Sequence, residues 1–165
     1  MTFYTQFSGY LNQLYCAESH LVERLSEICT HPDFEDSRSL IDNFYQNAEG
    51  RCSVLESIYA LTDLDYSFMC CKDLIGFMEN AFDNILNTRD NIIERNLALL
   101  YYLNITNAVA VSSLKSIELL MTGLNDDRII NLLNIYQSEN KTDLHLSLLC
   151  EQIRSHQGLV SVKTT

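Results

Sequence analysis

The sequence predicts an all-α chain, a single four-helix bundle with an extra short helix in the connection between its second and third long helices. Three observations carry this. The chain has one proline and five glycines in 165 residues, so the punctuation that all-β folds need is missing. Its 47% hydrophobic content recurs at alternating spacings of three and four, the period of a helix seam. Its length suits one domain, burying about 70% of the unfolded surface.

The first helix is expected over residues 5–29. Phe7, Leu11, Leu14, Glu18, Leu21, Leu25 and Ile28 form its seam, in which Glu18 is the one carboxylate. Pro32 stops it, because the residue before a proline avoids the helical region. A short loop leads to Asp36 or Ser37 as N-cap. The second helix follows to about Leu61, with Leu40, Ile41, Phe44, Ala48, Leu55 and Ile58 inward. A polar break over 62–67 precedes the extra helix, residues 70–86. Asp90 then caps the longest helix, about 91–122, with Leu100, Leu103, Asn107, Ala110, Leu114, Ile117 and Met121 inward and Gly123 as its stop. After Asn125–Asp127 one last helix is expected to Ser155, its stripe running Ile129, Leu132, Tyr136, Glu139, Asp143, Leu146, Cys150 and Ile153. The bundle is assigned to residues 1–157 and a flexible tail to 158–165.

Eleven basic against 22 acidic residues give a net charge of -11. This argues against nucleic acid and against an anionic membrane surface as partners. No run approaches 18 apolar residues and the first 15 lack a signal-peptide pattern. Six scattered cysteines without a CxxC pair fit a reducing, cytoplasmic setting. Adjacent Cys70 and Cys71 are candidates for a thiol sensor, for which only Lys72 is a nearby cation.

A buried carboxylate needs a proton, a partner or a metal, so Glu18 and Glu139 are the informative positions. A di-iron site wants about four carboxylates and two histidines, with Glu-x-x-His pairs. None occurs here. His20 faces away from Glu18, His31 lies in a loop, His156 is near the tail, and His145 stands ~120° from Glu139 on a continuous helix. Each is expected at the surface. Tyr10, Tyr15, Tyr45, Tyr59, Tyr101, Tyr102 and Tyr136 read as core or rim packing. No nucleophile–histidine constellation is visible.

LNQLYCAESHLVERLSEI (11–28), NAEGRCSVLESIYAL (47–61), CCKDLIGFMENA (70–81), RNLALLYYLNITNAVAVSSL (95–114) and SENK (138–141), taken in order, resemble the YciE/YciF-type ferritin-like stress proteins. The resemblance implies a ferritin-like bundle and, in its ordinary members, a di-metal site. Of that family's ligand positions, the first-helix Glu is kept as Glu18. The second-helix His-x-x-Glu falls on Phe44 and Asn47, and the long-helix Glu-His-x-Glu falls on Asn107, Ala108 and Ala110. The last pair is half kept, as Glu139 and Asn140. Asn47, Asn107 and Asn140 are expected to satisfy Glu18 and Glu139 by hydrogen bonds. The expectation is thus a stress-associated interaction protein without a working di-metal centre, a homodimer using exposed aromatics such as Phe3, Tyr4 or Tyr102. The alternative is weak iron or manganese binding for oxidative chemistry at Glu18 and Glu139, with Glu49 or Asp143.

Overall fold

The computed structural model describes residues 3–88, 90–123 and 126–163, and among them it contains helices and no strand. The all-α prediction holds. Six α-helices follow in order: α1 Phe3–Ile28, α2 Arg38–Thr62, α3 Lys72–Asn87, α4 Ile92–Met121, α5 Asp127–Ser138 and α6 Thr142–Lys163. Single 3-10 turns, Pro32–Phe34 and Phe68–Cys71, precede α2 and α3.

Side-chain pairs fix the directions. Tyr59 with Asn12 and Arg51 with Glu18 run α1 and α2 antiparallel. His20 with Tyr102 and Gln13 with Ser113 do the same for α1 and α4. Hence α2 and α4 are parallel, and the chain between them must travel the length of the molecule. That return path is α3, which packs on α4 and on α1. Packing of α1 on α2 and α4, α2 on α5 and α6, and α6 on α4 closes a ring around one core. Leu11, Leu14, Leu25, Phe44, Leu55, Ile58, Tyr102, Ile117 and Tyr136 are almost wholly enclosed there.

Several boundaries differ from the expectation. Asp90 does not cap α4. Asn91 does, its side-chain oxygen accepting from the backbone N–H groups of Ile93 and Glu94 at 3.0 and 3.3 Å. Ser37 occupies the N-cap position of α2 without a capping side-chain bond, because its hydroxyl is turned to Asp36 and Asn96. Asp63 closes α2 in the left-handed region, φ 54°, a conformation in which Asp is better tolerated than most residues. The expected last helix is two. It breaks at Glu139–Lys141, and its second half continues to Lys163, past the expected tail boundary at Gly158, with Thr164 and Thr165 outside the described residues. The buried face of α4 also departs from the expected series, since Leu99, Tyr102 and Thr106 are enclosed while Leu100 and Asn107 are only half-buried.

α4 is long and apolar enough to cross a membrane by length and composition, with mean hydropathy 1.4 over its best window. In the fold it packs against α1, α3 and α6.

An arginine staple holds the α1–α2 connection to the rest. Arg95, at the start of α4, reaches the Asp36 carboxylate and the Asp33 carbonyl, and its guanidinium lies 5.1 Å from the Phe34 ring centre. Gln152 of α6 donates to the Asp36 carbonyl and the Ser37 hydroxyl at 3.0 Å each.

Candidate functional site

Glu18 sits mid-way along α1 on its apolar seam, which carries it into the core at 2% exposure. Opposite it on α2 is Arg51, also 2% exposed. Arg51 Nε donates to Glu18 Oε1 at 2.9 Å and a terminal nitrogen donates to Oε2 at 2.8 Å. This is the two-pronged arginine–carboxylate pair, the strongest such geometry. Tyr136 of α5 donates its hydroxyl to the same Oε1 and lends its ring to the guanidinium at 5.9 Å. The second terminal nitrogen of Arg51 donates to the Asn47 side-chain oxygen.

Electrostatics keep Arg51 charged and Tyr136 protonated. Burial alone lowers the Arg51 pKa, but the facing Glu18 carboxylate outweighs it and raises the pKa. Burial first, and Glu18 second, push the Tyr136 phenol well above its ordinary value, so it remains a donor. Glu18 Oε1 therefore accepts from Arg51 and Tyr136, and Oε2 from Arg51.

Asn47 carries the network onward to the break between α5 and α6. Its amide nitrogen donates to the Glu139 carbonyl at 2.6 Å, and its oxygen accepts from the Lys141 backbone N–H at 3.1 Å. Asn140 caps α6 by accepting from Thr142 N–H at 3.0 Å. These asparagines thus bond to backbone and to Arg51, where bonds to the Glu18 and Glu139 carboxylates were expected. Asn107 lines a void of about 10 Å³ beside Glu18, together with Phe44, Arg51, Thr106, Ala110 and Thr142. That is room for one water molecule.

The structure does not bring the expected metal-site residues together. Glu18 is engaged by Arg51, whereas Glu139 is exposed at the C-cap of α5. Asp143 and Glu49 are exposed too, the latter accepting from the Tyr45 hydroxyl at 3.0 Å. Phe44 and Ala110 are buried apolar side chains. Among the described residues, no three His, Cys, Asp or Glu side chains converge as a metal cluster. An ion at Glu18 would have to displace a buried guanidinium, and the neighbouring side chains bring no second carboxylate. This donor set does not fit iron or manganese.

Sequence reasoning found Glu18 and missed Arg51. The signal was present, since Phe44, Ala48, Arg51, Leu55 and Ile58 keep the 4, 3, 4, 3 spacing of the α2 seam. The histidine reading needs correction as well. His20 and His145 are buried, not at the surface. His20 Nδ1 is 2.9 Å from the Tyr102 hydroxyl, and its Nε2 is 3.4 Å from Glu79, which also pairs with Arg24. His145 packs edge-on to Phe44, ring centres 5.1 Å apart; the helix break removes the continuous-helix argument that had set it against Glu139. His31 and His156 are half-buried.

The proposed thiol pair divides between environments. Cys70 is exposed and Cys71 is buried, with its thiol raised in pKa by burial. Cys71 lies against Cys16, whose thiol is pushed up to about 12 by burial. Neither buried thiol has the depressed pKa of a reactive one. Of the aromatics expected at a contact surface, Tyr4 is exposed, Tyr102 is fully buried, and the Phe3 side chain lies outside those described. Tyr15, Tyr59 and Tyr66 form an edge-to-face cluster.

No family model, curated protein or solved structure matches this chain.

Proposed function

We propose that this chain is a ferritin-like four-helix bundle of the YciE/YciF type in which an internal arginine has taken the place of metal, and that it acts through its surface as a structural or interaction protein. The observation that carries the reading is the two-pronged Arg51–Glu18 pair at the level where the resemblance locates a di-metal site. A guanidinium supplies fixed positive charge and directional bonds, but it accepts no ligand and transfers no electron. Parallel α2 and α4 joined by a long connection support the ferritin-like assignment. A stress-associated role in the cytoplasm belongs to the same proposal and rests on the resemblance and on the unpaired cysteines.

The test is metal stoichiometry. Protein purified without chelator, loaded separately with Fe(II) and Mn(II) and desalted, is expected to retain far less than one metal per chain, with Glu18→Ala no different from the parent.

A further inference from the structure

Resting on the surface-acting role just proposed, the geometry points to the partner: we infer that the exposed face of α4 pairs with the same face of a second copy, the two helices antiparallel across a two-fold axis at Asn104–Ile105.

Glu94, Leu97, Tyr101, Asn104, Ala108, Ser112, Lys115 and Leu119 recur along α4 at spacings of three and four. At 100° per residue they fall within an arc of about 80°. All eight are exposed, Leu97 at 44%, Tyr101 at 56% and Leu119 at 81%. This face borders the sides on which α4 packs against α1, α3 and α6, and none of the described residues covers it.

Charge decides which partner suits it. Residues 96–114 carry no charged side chain, in a chain of net charge -11. Two copies approaching by any acidic face repel one another, whereas this face is neutral and bounded by one acid and one base, Glu94 and Lys115. Their positions are symmetric about Asn104–Ile105. An antiparallel pair at a shallow crossing of about 20° therefore sets Glu94 against the partner's Lys115, and Lys115 against the partner's Glu94. The same register sets Tyr101 on the partner's Ala108 and Leu97 on the partner's Ser112, large against small along the contact. It also places Asn104 beside its own counterpart, as polar residues in helical interfaces do when they fix register. An isologous contact requires such self-complementarity.

Grooves on both sides extend the surface beyond one helix, as a stable interface needs. One, of about 590 Å³, lies between α4 and α6. The other, of about 380 Å³, lies between α4 and the junction of the second 3-10 turn with α3, where Cys70 and Leu74 line it. A lipid surface suits the face less well. Asn104 and Ser112 lie within it, and the α6 groove at its edge carries Asp143 and Glu151 against the single base Arg154, a net acidic lining that opposes anionic headgroups.

Sedimentation equilibrium of the full chain in reducing buffer tests this. The expected species is a reversible dimer, twice the 19.0 kDa chain mass. Tyr101→Asp and Lys115→Glu, each checked for native helicity, should weaken it by about tenfold or more. Combining Glu94→Lys with Lys115→Glu in one chain should restore affinity to within about threefold, because the pairs are re-formed in reverse. A monomer at every concentration overturns the inference, including one that sediments with phosphatidylserine vesicles. So does a dimer indifferent to Tyr101→Asp, or a double reversal no tighter than Lys115→Glu alone. A dimer that retains bound metal leaves this contact standing and removes the metal-free reading. A metal-free monomer does the opposite.

Discussion

Glu18 and Arg51 are both withdrawn from water, so each depends on the other for the solvation it has lost. A buried ion pair of this kind adds little net stability, but breaking it leaves one uncompensated charge in the core. Arg51→Met is accordingly expected to destabilise the fold by about 3–5 kcal/mol, read from urea unfolding. Adding Glu18→Leu to that variant should recover most of the loss, since neither charge of the pair then remains buried. A double variant no more stable than Arg51→Met would mean that the pair does more than neutralise itself. This site was half legible in the sequence. A carboxylate in an apolar seam is conspicuous, and Glu18 stood out on that ground alone. Arg51 occupies the matching seam position on α2 but was passed over, because an arginine in a helix ordinarily extends its long side chain to water. His20 and His145 were misplaced for a related reason. Their burial is set by Tyr102 and Phe44 on other helices, which spacing along one helix does not report.

At the scale of elements, the helices were legible and one of their junctions was not. Seams spaced by three and four located α1, α2 and α4 to within a few residues, while the last helix ran eight residues past its expected end at Ser155; Pro32 and Gly123 marked two of the stops. The break between α5 and α6 carries no proline or glycine. The sequence around it, Ser138–Thr142, reads as a continuation of the same stripe. What opens the helix there is tertiary: Asn47, from α2, bonds the Glu139 carbonyl and the Lys141 N–H, and Asn140 caps the next helix. Burial of Tyr136 against Glu18 and of Thr142 beside the small central void anchors the two halves on either side. Asn47→Ala removes both backbone bonds and the acceptor for Arg51. It should cost about 1–3 kcal/mol and raise amide hydrogen exchange at residues 139–142. An exchange pattern unchanged from the parent would show that the break is held by other contacts.

Over the whole molecule, the two buried histidines couple the fold to pH. Burial lowers the pKa of His20, with Arg24 adding to the shift and Glu79 opposing it. Burial likewise lowers that of His145, helped by Lys141 and Arg51. Below their unfolded value, near pH 6.5, the unfolded chain binds protons that the folded chain does not, so stability falls as pH falls. The urea midpoint should stay level above about pH 7 and decline from about pH 6.5 downward, with His20→Gln reducing that slope. A profile level down to pH 5 would place both histidines in contact with water. The all-helical class followed from periodicity, because most helices show their buried stripe in their own residues and α4 shows it in part. The chemistry of the centre did not, because it rests on a pairing between residues of two helices, 33 positions apart in sequence.

That pairing is tested most directly by counting metal in the purified chain after loading with Fe(II) or Mn(II). An arginine-filled centre predicts far less than one metal per chain, with the count unaffected by Glu18→Ala. About two metals per chain, the number a carboxylate bundle holds, lost on Glu18→Ala, would contradict it and make Glu18 a ligand.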